Sequence, residues 1–487
     1  MILFLRIISL FSILSFYAWT TTAGSYIFNL QSDYGGYYNQ LSDSLLAGKT
    51  YLSLGPDIPD PDISLYKDRF YLYFGITPVA TFFAPYYLLT KKHASENFSI
   101  FIFSSGALIF TILLLYYLRK KYFQESPEWM IILCICVTAF CNVTPWLMRR
   151  PTIYEAVIAC GLFFMTGAVF FLVLAVNKIY PRNIPFLLTG SIFLGLAFGA
   201  RPTYLFASVI LISTMVIKII KEKDLNVRHS KIYEYVALTV PIAVCIFLLM
   251  SYNYLRFDNP FEFGIKYQRS GDNSIPKEFN IKFFIANLYF YFFGSQKIDS
   301  YFPFIHLNDV PIYPSWLTPP SFHSLGGGGV IGLLTGIPFV LIVVIAPFLY
   351  YKTLKQNKPN LLVKSILLPY PEFRIIFLVG CIMLITISFW TAIYARFIAD
   401  FATFLILSSC ISWLHFDSLL KDNSNKKNLR NIAIILAFIS IVFGLAYSLK
   451  GDTHTHGGLE EQNYEQFKKL EIFFKPISNF IERITSK

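Results

Sequence analysis

The sequence predicts an all-α polytopic membrane protein of about eleven transmembrane helices, and three observations carry that prediction. Apolar residues fall in blocks of about 17 to 24 between short polar breaks, the length a helix needs to cross about 30 Å of hydrocarbon at about 1.5 Å per residue. Of the 487 residues 55% are hydrophobic and only 14% are charged. Aromatic residues make up 18% of the chain, above soluble norms, and Tyr and Trp favour the lipid headgroup level.

In chain order the expected spans are residues 3–23, 98–118, 128–148, 152–176, 184–200, 203–220, 234–254, 328–351, 373–390, 398–415 and 430–449. The first reads either as a cleaved signal peptide with small residues near Ala23 or as a retained helix, and both readings carry the chain to the far side of the membrane. Residues 71–90 are long enough to cross, but Gly75, Pro78, Pro85 and their tyrosines also suit a segment lying in the outer leaflet. The run Gly326 to Gly329 gives a flexible lead into the eighth span, since no strand precedes it as a phosphate loop would require.

Charge decides the topology. With residues 71–90 not spanning, the short loops on one side carry 20 Lys and Arg against 8 acids, and the rest of the chain carries 21 of each. The whole net charge of +12 then lies in short cytoplasmic loops, as the positive-inside rule asks, and a nucleic-acid partner has no remaining motive. The expected arrangement has the N-terminus inside and the C-terminus outside, as in a multi-pass protein of a bacterial inner membrane. It divides the chain into a transmembrane domain, 1–449, with outer segments at about 24–97 and 255–327 that include amphipathic helices, and a non-cytoplasmic tail, 450–487. In that tail Leu470, Phe473, Phe474, Ile477 and Phe480 recur at helical spacing, the pattern of an amphipathic helix.

The seven cysteines, Cys134, Cys136, Cys141, Cys160, Cys245, Cys381 and Cys410, all lie in apolar blocks, where Cys behaves as a small hydrophobe. No disulfide framework and no metal site is expected from their spacing. The loop histidines His306 and His323, and the Asp452, His454, His456 stretch, read as ordinary surface and linker residues.

Asp33 carries the sharper expectation. The first outer segment opens QSDYGGYYNQLSDSLLAGK, with Tyr34, Tyr37 and Tyr38 beside Asp33 as acceptor or sugar contacts. A carboxylate held next to the bilayer suits a general base acting on a hydroxyl acceptor. The plainer reading is a solvated Asp that caps the following helix.

From this point the chain resembles the C-superfamily of glycosyltransferases (GT-C), which use polyprenyl-phosphate sugars and include protein O-mannosyltransferases and the aminoarabinose transferases of lipid A. Asp33 matches the early outer Asp of that family, and FYLYFGITPVATFFAPYYLL resembles its Pro-bearing stretch. A second acidic residue opens the outer end of the family's fourth helix, and MRRPTIYEAVIACGLFF places Glu155 there, a Glu in place of Asp. GLAFGARPTYL places Arg201 where relatives carry a basic residue, YNYLRFDNPFEFGIKYQ resembles a tyrosine-rich segment, and YARFIADF resembles a late Arg-Tyr-like motif. The resemblance implies inverting transfer of a sugar from a polyprenyl-phosphate carrier to a glycan, lipid or protein, with Asp33 and Glu155 catalytic and no cofactor or metal required.

The arginines argue independently of any family. Arg is the minority basic residue, yet the short outer loops hold Arg149, Arg150, Arg201 and Arg396 and no Lys. The guanidinium fork suits phosphate recognition, and these positions run against the positive-inside tendency. The plainer reading is that they snorkel to the interface or pair locally, Arg396 with Asp400 one turn on and Arg149 or Arg150 with Glu155. A membrane glycosyltransferase is the function this pattern favours; the alternative is a transporter or lipid flippase, which would show ionisable residues at mid-membrane and paired broken helices.

Overall fold

A backbone in hydrocarbon has no water to satisfy its polar groups, so each apolar run closes its hydrogen bonds within a helix. The computed structural model describes all of the chain except residues 1, 29–35, 55–61, 179–180, 222–227, 270–277, 308–311, 319, 321–323, 327–329, 358–367, 369, 421–422, 450–457 and 486–487. In order, the elements begin with α1 (Ile2–Thr21), α2 (Tyr37–Leu46), the strands β1 (Ser64–Tyr66) and β2 (Arg69–Tyr71), α3 (Val79–Thr90), α4 (Glu96–Tyr122), α5 (Glu128–Phe140) and α6 (Thr144–Arg149). They continue with α7 (Ile153–Val176), α8 (Ile184–Ala200), α9 (Tyr204–Lys221), α10 (Arg228–Phe257), α11 (Phe284–Phe293), β3 (Gln296–Ile298), β4 (Ile305–Leu307), β5 (Ser324–Gly326) and α12 (Leu333–Gly336). The chain then forms α13 (Ile342–Asn357), α14 (Pro371–Ser388), β6 (Ala392–Tyr394), α15 (Ala399–Leu419), α16 (Asn423–Leu449), α17 (Leu459–Gln462) and α18 (Tyr464–Thr485).

Among the described residues eight helices are long and apolar enough to cross a membrane: α1, α4, α7, α9, α10, α14, α15 and α16. Shorter apolar helices, α5, α8 and Pro338–Lys352, occupy the other three expected positions. The third expected span is broken at residues 141–143, and the amide of Asn142 there donates to Thr144 Oγ1 at 3.0 Å and to Thr403 on α15. The eighth begins irregularly as α12 and a three-ten turn, Pro338–Leu341, because Pro338 lacks the N–H that would join the two into one helix. The ambiguous block forms α3, about 18 Å long at 1.5 Å per residue, too short to span.

α15 and α7 are the enclosed helices, with 94% and 78% of their apolar windows buried, against 22% for α1 and 28% for α10 and α16. α7 packs on α4, α8, α9, α14 and α15. Gly161 of α7 lies against the Tyr204 ring, where an added Cβ would sit 2.6 Å away, so only glycine allows this close crossing of α7 and α9.

Consecutive spans alternate in direction, so their ends sort into two sets. One end has short loops and the pairs Arg6–Glu128, Arg119–Glu128, Lys121–Glu372 and Arg430–Asp417. The other end collects the long segments, which are tied to each other. β1 pairs antiparallel with β2, Ser64 also bridges to Gln268, and Arg269 N donates to Ile63 O at 3.0 Å. Arg256, buried at the end of α10, donates to Leu72 O and Asn253 Oδ1, both at 2.6 Å. β5 runs parallel to β6, Gly326 opposite Tyr394. α18 packs Phe467 and Phe474 on Phe302, while Phe473 and Phe480 on its other side are exposed.

Candidate functional site at the loop-rich end

Three helix junctions meet at this end and carry the four arginines. Arg149 closes α6 and Arg150 follows it, Arg201 follows α8, and Arg396 lies in the three-ten turn Ala395–Ile398 between β6 and α15. Two buried acids stand in first turns, Glu155 of α7 and Asp400 of α15, where the positive end of the helix dipole favours a carboxylate.

Glu155 is fully buried and sits between two guanidiniums, with Arg150 Nη1 at 3.5 Å and Arg396 Nη1 at 3.9 Å from its Oε1. Thr152 donates to its other oxygen. Asp400, also fully buried, forms an ion pair with Arg201 Nη1 at 2.7 Å and accepts a hydrogen bond from the Tyr204 hydroxyl at 2.7 Å. The local pair of Arg396 with Asp400 does not form, because a three-ten turn rather than an α-helix carries Arg396 and rotates it toward Glu155. Aromatic faces complete the setting: Arg396 lies 4.5 Å from the Tyr154 ring centroid and 4.1 Å from that of Tyr394, and Arg201 lies 4.7 Å from Phe397.

Arg149 stands apart from this group. It is wholly buried without a carboxylate, its Nη1 donates to Gln462 Oε1 at 3.0 Å, and Gln462 Nε2 donates back to the Arg149 carbonyl at 3.1 Å. Among the described residues its Nε and Nη2 have no hydrogen-bond partner. The sequence grouped it with the other three arginines because the short outer loops hold these four and no Lys, but neighbouring residues at a helix end point to different sides.

Asp33 and Tyr34 lie outside the described residues, as do His323, Asp452, His454, His456 and Gly327 to Gly329. Tyr37 and Tyr38 open α2 and are buried. Tyr38 donates to the Ile153 carbonyl at 3.2 Å and stacks on Phe83, which docks α2 at the start of α7. Burial pushes the Tyr38 hydroxyl well above its ordinary pKa, and the charges of Glu96 and Glu155 add to the shift. His306 bonds locally, 3.1 Å from Asp299, away from the arginines. Among the described residues no cluster of His, Cys, Asp and Glu could hold a metal.

Tyr204 and the buried Glu96 were not singled out from the sequence, and Asp400 entered only as a local partner of Arg396. The signal for Asp400 is an acid four residues after Arg396 in YARFIADF.

No family model and no curated protein matches the sequence. Solved structures do match the fold. The apo oligosaccharyltransferase of Archaeoglobus fulgidus aligns with 93% of this chain at a TM-score of 0.51 and 13% identity. The archaeal oligosaccharyltransferase AglB from the same organism, in complex with an inhibitory peptide and a dolichol-phosphate, aligns with 92% at 0.51 and 12%. This chain spans 56% of the length of those enzymes. ArnT from Cupriavidus metallidurans, bound to undecaprenyl phosphate, aligns with 91% of this chain and 75% of its own at 0.43 and 9%. The chain has the fold of the GT-C membrane proteins and is an integral membrane protein.

Proposed function

We propose that this protein is a membrane glycosyltransferase that moves a sugar from a polyprenyl-phosphate carrier to an acceptor at the loop-rich end, and that this end faces the non-cytoplasmic side of a bacterial inner membrane, a reading the basic short loops opposite it support. One observation carries the reading: Arg150, Arg201 and Arg396, from three separate junctions, converge on two buried acids beside Tyr154, Tyr204 and Tyr394. The fold is shared with an archaeal oligosaccharyltransferase in complex with a dolichol-phosphate, and that likeness supports a lipid-linked phosphate as ligand.

In the proposed reaction the acceptor oxygen attacks the sugar's anomeric carbon, the bond from that carbon to the phosphate oxygen breaks, and the configuration inverts. The acceptor's proton passes to Asp33, three residues before Gly36 at the head of α2. The carrier leaves as a phosphate monoester, and the guanidiniums stabilise the charge that develops on it without a metal. Glu155 is the positioning acid: it stands between two arginines and holds their guanidiniums in place.

The test incubates purified protein with a panel of radiolabelled polyprenyl-phosphate sugars and an acceptor extract. Release of the bare carrier phosphate with label in the acceptor is expected. Failure of every carrier to bind would end the reading.

A further inference from the structure

Two little-enclosed spans, α1 and α16, leave the bundle at the loop-rich end, and their exposed apolar side chains, such as Phe11 and Phe438, face lipid. Where these spans end, Trp19 and Ala23 of α1 and Leu449 of α16 join Phe302 and the inner side of α18 in one apolar cluster. Asn463, between α17 and α18, donates to the Ala23 carbonyl at 2.8 Å. Trp favours the lipid headgroup level, so Trp19, in the last turn of α1, puts the start of α18 at the bilayer surface. α18 does not cross the membrane from there, because its four basic and three acidic residues are too many for hydrocarbon. It is not patterned for water either. Beside the face taken by the cluster, Phe473, Ile477, Phe480 and Ile484 recur at i, i+4, i+7 and i+11, and all four are exposed, Phe473 by 73% and Phe480 by 62%. Lys469 and Arg483 stand about one turn from Phe473 and Phe480 and flank this stripe.

We propose that α18 lies in the headgroup layer at the loop-rich end with the stripe Phe473, Ile477, Phe480 and Ile484 inserted among the lipid chains. Position names the occupant: the lipid that covers α1 and α16 already adjoins the cluster from which α18 starts, so the stripe continues an existing lipid-facing surface. Four basic and three acidic residues leave α18 a net charge of only +1, so apolar insertion rather than attraction to anionic lipid supplies the binding. Lys469 and Arg483 run their stems along the apolar side and place their charges at lipid phosphates. The seat steadies a neighbour of the arginine site, because α17 directly precedes α18 and its Gln462 exchanges bonds with Arg149. It requires only the membrane fold and not the sugar chemistry.

The test places the photoreactive p-benzoyl-phenylalanine at one position at a time in the full chain, reconstituted in vesicles of radiolabelled phosphatidylcholine. Illumination couples the probe to whatever it touches, and lipid label on the protein is counted. Phe438, on lipid-facing α16, is the positive control, and Lys475, on the side of α18 opposite the stripe, is the negative one. Probes at Phe473 and Phe480 are expected to take up label within about 3-fold of the probe at Phe438 and at least about 10-fold more than the probe at Lys475. Ile477 and Ile484 serve as sites if either variant does not reconstitute. Strong label at Phe438 with only background at Phe473 and Phe480 overturns the proposal, as does equal label at Lys475. Coupling of the stripe to a second copy of the chain in place of lipid also overturns it and assigns the stripe to an interface between copies.

Discussion

Arg201 and Asp400 meet at 2.7 Å across 199 residues of chain, and Tyr204 fills the other oxygen of the same carboxylate. The pair is buried, so removing one partner strands a charge. Asp400→Ala is expected to cost about 3 to 5 kcal/mol of stability, and the double change Arg201→Leu with Asp400→Leu less than that. Thermal unfolding in detergent checks the order; a double variant weaker than Asp400→Ala would contradict it.

For the phosphate reading, lysine is the informative substitute, because it keeps the charge and loses the fork. Arg201→Lys and Arg396→Lys are each expected to lower transfer at least about 10-fold with nearly unchanged expression. Equal activity in both would return these side chains to snorkelling.

Asp33→Asn preserves size but cannot take the acceptor's proton, so transfer is expected to fall at least about 100-fold while carrier binding persists. Asp43 is the control on the same segment, exposed and 3.0 Å from His93 on the surface. Its Asn variant is expected to remain within a few-fold of wild type. The reverse pattern would assign the base wrongly.

Glu155→Gln separates a positioning acid from a base. Transfer is expected to fall about 10-fold as Arg150 and Arg396 loosen, with the acidic limb of the pH–rate profile unmoved. Disappearance of that limb would make Glu155 the proton acceptor.

Orientation is checked by fusions. A reporter active only outside the cytoplasm is expected to work after Gly451 and to be silent near Lys223. The opposite pair of results would invert the topology.

Much of the fold was legible because the bilayer imposes one length and one pattern. The helix from Ile153 to Val176 follows from an apolar run bounded by polar residues, and its limits match the expected 152–176. The break at residues 141–143 was not legible, since Asn142 is satisfied by Thr403, far along the chain. The same limit applies to the site. The composition of the short outer loops picked out Arg150, Arg201 and Arg396, but their partners depend on which junctions meet in space. Spacing along YARFIAD pointed Arg396 at Asp400, and the three-ten turn sent it to Glu155 instead.

The mutual bonds of Arg149 and Gln462 set an order on biogenesis. These residues lie 313 positions apart, so α6 is synthesised and inserted long before its partner leaves the ribosome. Until then the guanidinium must stay hydrated or rest against lipid headgroups, since burial without an acceptor is costly. Docking of α17 is therefore the step that allows this corner of the bundle to dehydrate. A nascent chain halted anywhere before Gln462 holds an unfinished interior, a species that membrane quality control can distinguish from the completed protein.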